Sequence, residues 1–307
     1  MMAYEGILPV LKPAGFTSHD VVAKVRGILK MKRIGHTGTL DPQVTGVLPL
    51  CLGRATRMVE YLQELPKEYE ATLVLGIATD TEDLTGTVTE RSEGVTVTKQ
   101  QICEALSRFH GTISQIPPMY SALKQDGKRL YELARQGKTV ERKAREVTIH
   151  ELELTAFKPE GPFPEISFRV LCSKGTYIRT LCVDIGRALG VPAAMSVLRR
   201  TMSAGIPVSR CLTFEEIAER AKDGSLASCL IPVDEAVAHL PAAEVAGEKA
   251  RAALQGQRLS PSVVHPLPNR EEIIRLYDPE GRFLGIYERE EGSGAIAPVK
   301  VFAQNEQ

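Results

Sequence analysis

Apolar and polar positions along this chain change period many times, and each change marks an element. Gly6 to Leu11 is a nearly unbroken apolar run, read as a short strand leading into the turn Lys12-Pro13-Ala14-Gly15. Thr17 and Ser18 can cap the next helix, where Val21, Val22, Val25, Ile28 and Leu29 make one apolar stripe and Lys24, Arg26 and Lys30 face solvent. Gly35 to Pro42 reads as a loop. Val44 to Leu52 reads as a buried strand with an irregularity at Gly46, and Arg54 to Arg57 opens a helix with Met58, Val59 and Leu62 inward. Lys67 to Gly76 alternates, as a half-buried strand does, and carries Tyr69. An acidic loop, Asp80 to Gly86, precedes an expected hairpin; Ile102 to Phe109 patterns as helix, and Ile116 to Tyr120 is a rigid extended turn.

Val147 to Phe157 and Ile166 to Cys172 read as strands, Leu181, Ile185 and Leu189 as the inner side of a helix, and Met195 to Ala204 as a further strand. Thr213 with Glu216 three positions on is a capping-box signature. Beyond Pro232 and Pro241 the pattern changes to a helix near Ala250–Leu254 and short strands at Ile273–Tyr277, Phe283–Tyr287 and Val299–Phe302. The expected fold is α+β: a mixed, mainly antiparallel sheet with flanking helices over residues 1–235, then a small β-rich unit over 236–307. Between residues 120 and 146 lies a basic insert with a helical pattern from Leu130 to Ala134 but little core material, so it should protrude.

Composition narrows the function classes. The chain has 307 residues, 43% hydrophobic and 25% charged, and no apolar run of the length a membrane helix needs. The N-terminus has no secretory-signal pattern, so cytoplasm is the expected compartment. Six scattered cysteines form no C-x-x-C pair, which argues against structural zinc and a disulfide framework. Neither glycine-rich nucleotide motif occurs, so a nucleotide cofactor has no support in the sequence. Formal charge is zero, yet residues 1–210 carry 28 Lys and Arg against 22 Asp and Glu, while residues 211–307 carry 10 against 16. Basic residues concentrate in Lys12 to Arg57, Ser121 to Glu146 and Cys172 to Arg200. A single basic stretch usually means a solvated surface; three of them favour a polyanion partner.

Gly35-His36-Thr37-Gly38-Thr39-Leu40-Asp41-Pro42 is the stretch with the most chemical content. Its glycines permit tight geometry, and Pro42 biases Asp41 toward an extended conformation. An aspartate held this way among basic residues can act on a substrate. The window alone is read equally well as an Asp-Pro turn formed for backbone reasons.

Four separated pieces decide between these readings. They are Lys12 to Ser18; Gly35 to Pro42 running on through Thr45-Gly46-Val47-Leu48-Pro49 to Gly53-Arg54-Ala55-Thr56-Arg57; Lys67-Glu68-Tyr69; and Cys172 to Thr180. In order and spacing they resemble the TruB family of tRNA pseudouridine synthases over roughly the whole chain. Val44 stands where that family commonly has alanine, a change of two methyl groups that should leave the carboxylate in place. The C-terminal unit looks like the PUA-type RNA-binding domain that many members carry.

The resemblance implies isomerisation of uridine 55 in the tRNA T-loop to pseudouridine, without cofactor, metal or obligate protein partner, by a monomer that binds the T-arm. It implies that Asp41 carries the chemistry, either by a covalent sugar adduct or by removing a sugar proton; the sequence leaves both routes open. By the same resemblance Arg179 is the charge partner of Asp41, and Tyr69 stacks on the flipped base. Tyr177 and Leu198 line the uridine pocket. His36 fills the space left by flipping or bonds its own loop, and Lys12 supports the loop or touches phosphate. The rival readings are a non-catalytic RNA-binding or tRNA-folding factor and a guide-dependent rRNA enzyme.

Overall fold

The computed structural model describes residues 4–125 and 127–302. The first apolar runs become β1 (Gly6–Lys12) and β3 (Thr45–Leu52), which pair antiparallel along their whole length. Helix α1 (Ser18–Leu29) lies between them, and the short strand β2 (Ile34–His36) adds to β3. Thr17 caps α1 with a reciprocal Asp20 box, and Val21, Val22, Val25 and Leu29 bury the stripe. The next helix begins as a 3-10 turn at Gly53–Met58 and becomes α2 (Val59–Glu64); β4 (Lys67–Leu75) follows.

The acidic loop lies inside a hairpin rather than before it. Strands β5 (Ile77–Thr79) and β6 (Val88–Arg91) flank it, because Asp80 and Asp83 bond the loop's own hydroxyls and amides and fold it back. Helix α3 (Lys99–Ser107) and β7 (Gly111–Gln115) lead to the insert. There β8 (Lys124–Gln125), β9 (Lys128–Arg129) and α4 (Leu130–Arg135) form a small unit that buries Leu130. After it come β10 (Arg145–Lys158), β11 (Glu165–Cys172), α5 (Ile178–Ala188), β12 (Ala193–Ser203) and β13 (Ile206–Pro207). The capping box at Thr213 forms and starts α6 (Phe214–Asp223), and α7 (Val233–Ala236) precedes the C-terminal part.

The large sheet runs β1-β3-β12-β4-β11-β10-β7, with β2 on β3 and β13 on β12. Its pairings among the described residues are antiparallel except one: β12 meets β3 in parallel at Arg199–Thr45 and Arg200–Gly46. This contact is close. A Cβ on Gly46 would stand 2.1 Å from the Arg200 carbonyl oxygen, and φ there is +111°. The irregularity expected at Gly46 is thus the place where two backbones touch. Helices α3 and α5 cover one part of the sheet through Ile102, Leu106, Leu181 and Ile185 packed on Leu73, Ile166 and Phe168. Helices α1 and α6 cover β1 and β3.

The C-terminal part contains β14 (Ala242–Val245), α8 (Gly247–Leu254), β15 (Val264–His265), β16 (Ile273–Tyr277), β17 (Phe283–Arg289) and β18 (Ile296–Val301). They form a five-stranded sheet, β15-β14-β16-β17-β18. Strands β14 and β15 carry too few residues for alternation to reveal them in sequence. This sheet has its own core around Val245, Leu276, Leu284 and Tyr287. It docks on the first part through Ile286 and Phe302 against Met58 and Leu62. Arg57 donates to the Val301 carbonyl at 2.6 Å, and Lys300 pairs with Glu60 at 2.8 Å. The molecule is therefore the expected α+β arrangement with a β-rich C-terminal domain.

Candidate active site

The loop carrying Asp41 is fixed from below by groups buried under it. The Lys12 side chain is fully buried and its ammonium donates to the carbonyls of Pro13 (3.0 Å), Pro42 (3.0 Å) and Val44 (2.6 Å). Burial pulls this lysine down to about 8. With its donors on carbonyls, Lys12 sits beneath the loop as a support. Ser18 accepts the Leu40 amide at 2.9 Å, the Gly15 amide reaches the Pro42 carbonyl at 2.9 Å, and Val44 N–H closes a turn onto the Asp41 carbonyl at 3.1 Å. Backbone groups on both sides of Asp41 are thus satisfied, and its side chain alone projects, 45% exposed.

Arg179 meets it. Its Nε stands 3.1 Å from Asp41 Oδ2 and 4.0 Å from Asp83 Oδ2. Its two terminal nitrogens donate to the carbonyls of Thr81 (2.9 Å) and Tyr120 (2.7 Å). Four groups on three loops therefore set the plane of one buried guanidinium, which a lysine could not match with its point charge. Asp83 is itself held, its Oδ1 accepting from Thr81 and Thr85 hydroxyls and the Thr85 amide. Next to Arg179, Thr180 donates to Glu82 at 2.6 Å, and burial raises the Glu82 carboxyl above its ordinary value.

Asp41 and Arg179 lie where two clefts meet. The first, 390 Å³, is lined by Asp41, Tyr69, Tyr177, Arg179, Leu198 and Arg200 among others. The second, 660 Å³, runs past His19 and Asp83 to Lys124, Arg129, Tyr131 and Arg135 of the insert. The structure thus brings five of the seven sequence-derived positions, Asp41, Tyr69, Tyr177, Arg179 and Leu198, to one cavity. Lys12 and His36 stand outside it. His36 lies on β2, accepts the Gly38 amide at its Nδ1 (3.3 Å) and packs edge-on to His19 with ring centres 5.4 Å apart. Burial first, then His19 and Arg200, lower its pKa, so the ring is neutral near pH 7.

Tyr69 is placed by strand alternation. Lys67, Tyr69, Ala71, Leu73 and Leu75 share one side of β4, and Tyr69 pairs across to Arg200 on β12. Burial raises its phenol pKa, with Arg200 opposing. Tyr177 ends the loop before α5, where Gln115 clamps its backbone: the Gln115 amide donates to the Tyr177 carbonyl at 3.3 Å and accepts the Tyr177 N–H at 3.1 Å. Burial also raises the Tyr177 phenol.

Two buried cations of this cavity had no role assigned from the sequence. Arg200 is 1% exposed and donates from Nε to Val47 O (2.7 Å) and from Nη2 to Gly38 O (3.4 Å). Lys67 is 7% exposed and donates to the carbonyls of Gln63 and Leu65, the latter at 2.6 Å; burial, then the charge of Arg200, pull it to about 8. The signal was available: each stands two positions from a cavity residue on its own strand, Lys67 from Tyr69 and Arg200 from Leu198.

Chemically, the arrangement offers a projecting carboxylate with a fixed cation beside it, apolar and aromatic walls, and a basic approach groove. Known proteins match this chain throughout. Residues 26–178 match the family described as TruB family pseudouridylate synthase (N terminal domain), 179–238 the tRNA pseudouridylate synthase B C-terminal domain, and 241–302 the family called Pseudouridine synthase II TruB, C-terminal. The tRNA pseudouridine synthase B of Bacillus licheniformis is 45% identical over 304 residues, covering 98% of each chain. That of Geobacillus thermodenitrificans is 45% identical over 303 residues, covering 97% of this chain and 99% of the relative. Among solved structures, a chain of a Cbf5-Nop10-Gar1 complex superposes with a TM-score of 0.76 at 29% identity, covering 98% of this chain and 86% of that one. A chain of an H/ACA RNP bound to a substrate RNA containing 2'-deoxyuridine gives 0.75 at 26% identity, with the same coverage. With the family matched across nearly every described residue and the expected carboxylate standing at the cavity mouth, the chain belongs to the TruB family of pseudouridine synthases.

Proposed function

We propose that this enzyme isomerises uridine 55 in the T-loop of tRNA to pseudouridine. The observation that carries the reading is the Asp41–Arg179 pair at the junction of the two clefts. The first cleft suits a single flipped base: Tyr69 and Tyr177 supply flat surface and Leu198 an apolar wall. The second suits the RNA that delivers it, since Lys124, Arg129 and Arg135 line its far side. Flipping costs a few kcal/mol of stacking, which backbone contacts along that groove offset.

In this reading Asp41 acts at the sugar while Arg179 keeps it ionised and oriented; an opposite charge at close range favours the carboxylate. The C1′–N1 bond breaks, the uracil turns within the cleft, C5 bonds to C1′, and C5 then gives up its proton while N1 takes one, so the overall composition is unchanged. Atoms in and atoms out are the same, so the residues present suffice. Asp41 either bonds to C1′ or removes the C2′ proton. Residues 1–235 form the catalytic domain with its insert near 120–146 as a clamp on the T-arm, and residues 236–307 a PUA-like RNA-binding domain. The enzyme works as a cytoplasmic monomer; among the described residues no helix is long and apolar enough to cross a membrane. Relatives named for tRNA at 45% identity over the full length support tRNA rather than a guide-RNA complex as the working context.

The test uses unmodified tRNA transcript carrying tritium at uracil C5. Wild-type protein should release tritium, while Asp41→Asn should bind the transcript with similar affinity and release none. Equal release from both would reject the role of Asp41, and no release from wild type would reject the activity.

A further inference from the structure

Six charged side chains line the first cleft: Asp41, Glu64, Lys67, Lys174, Arg179 and Arg200. Both carboxylates are engaged, Asp41 with Arg179 and Glu64 with Lys174. That leaves Lys67 and Arg200, both buried on the sheet side, with backbone carbonyls as hydrogen-bond acceptors and, among the described residues, no ion pair. They stand on neighbouring strands, β4 and β12, on the side that also presents Tyr69 and Leu198.

Two buried cations without a carboxylate in contact are expensive in a folded protein, where such groups are normally paired. Carbonyl dipoles reduce the cost but leave the net charge in place. A cavity of this kind is complementary to negative charge that arrives or develops inside it. The projecting carboxylate is not that charge, because Arg179 already balances it.

We propose that Lys67 and Arg200 form an electropositive floor that stabilises the pyrimidine as an anion once its bond to the sugar is broken; this rests on the uridine-isomerising reading above. When C1′–N1 breaks, the electron pair stays on N1 and spreads to O2 and O4 of the ring. The deficit at the sugar is met by a bond from Asp41 to C1′, or by transfer of the C2′ proton to Asp41 with a C1′–C2′ double bond forming. On either route the uracil carries one negative charge until C5 bonds to C1′. A neutral cavity would have to hold that anion without help; this one has two fixed positive groups beside it before the reaction starts, so no reorganisation is needed.

The ammonium of Lys67 also gives the proposal a pH signature. The groups that face it are Arg200 on β12, Cys172 on β11, Glu64 at the end of α2 and Lys174 in the loop after β11. Burial and Arg200 pull its pKa down, against Cys172 and Glu64, to about 8. Its charge therefore fades as pH rises through that value, and the stabilisation fades with it.

The experiment is a single-turnover tritium-release series at saturating tRNA transcript, from pH 7 to 10. Wild type should slow on the alkaline side with a midpoint near 8, whereas Lys67→Arg should stay flat to pH 10. Lys67→Met should lose roughly 100-fold in rate at pH 7.5, with tRNA affinity within about threefold, since affinity comes chiefly from phosphate contacts elsewhere. A wild-type profile flat to pH 10, an alkaline limb shared by Lys67→Arg, or full activity in folded Lys67→Met would each overturn the floor. If circular dichroism shows Lys67→Met unfolded, the wild-type and Lys67→Arg profiles decide alone. Absence of any wild-type release would instead reject the underlying reading.

Discussion

Replacing Gly46 by alanine tests whether the contact between β3 and β12 sets the geometry of the cleft. An added Cβ would lie 2.1 Å from Arg200 O, 2.8 Å from its N and 2.9 Å from its C, all backbone atoms that cannot rotate away. Two effects add. Holding alanine at φ +111° costs about 1–3 kcal/mol, and forcing the strands apart costs about 1–3 kcal/mol more. Together this is roughly 4 kcal/mol, or about 8–16 °C in the thermal midpoint for a domain of this size. The displacement falls on the residue that donates to Gly38 and Val47, so Leu198 and Arg200 should move away from the Asp41 loop and tritium release should fall with the stability. Gly190→Ala is the control: φ there is +76° but nothing lies within 4 Å of the added carbon, so only backbone strain, about 1 kcal/mol, remains. The two variants would be compared by thermal melting and by release at 25 °C. A Gly46→Ala midpoint no lower than that of Gly190→Ala would refute the close contact and the argument built on it.

Gln115→Ala removes both hydrogen bonds that hold the Tyr177 backbone; each is worth about 1 kcal/mol, and with the tyrosine loosened the release rate should drop by about tenfold or more while tRNA affinity changes little. Unchanged turnover would show that Tyr177 needs no clamp. The pH dependence of stability should change direction near pH 9. Lys12 and Lys67 titrate near 8 when folded, against 10.5 ordinarily, so between 8 and 9 the unfolded chain holds more protons and stability rises. Above 9 the balance reverses: burial pushes Cys51 to about 12, Cys172 to about 11 and Cys182 higher still, while unfolded thiols ionise near 9.0. The folded chain then holds more protons and stability falls. Urea midpoints from pH 7.5 to 10 should peak near 9; a steady decline across the range would contradict the lysine assignments.

Much of the architecture was legible because the apolar runs are long or strictly periodic. The stripe of α1, the alternation of β4 and the Thr213 box all form where the pattern places them. Short or polar pieces were not legible. The three residues of β2 are strand because β3 offers them an edge, and nothing in Ile34-Gly35-His36 itself demands it. The loop at Asp80–Gly86 reads in sequence only as an acidic turn region; the fold shows that it carries Asp83 and Thr81 to Arg179. At the site, family motifs gather five residues that lie in one cavity, but motifs do not report depth. Lys12 proved to be under the loop and His36 beside it, while Arg200 lay hidden in a strand where a basic residue is easily taken for a surface one.

The order of strands in the large sheet bears on how the chain emerges during synthesis. Neighbours in sequence, β3 and β4 are separated in space by β12, which is made more than a hundred residues later. Until then the nascent chain carries two unjoined half-sheets, each with an open edge, and an Asp41 loop without Leu198 and Arg200 beside it. Pairings this distant in sequence form slowly, and open edges invite association with other chains. The same late strand brings Leu198 and Arg200, so closing the sheet and completing the cavity are one event. A fragment ending before β12 would carry Asp41 and Arg179 but lack the Leu198 wall and the buried Arg200 of the cleft.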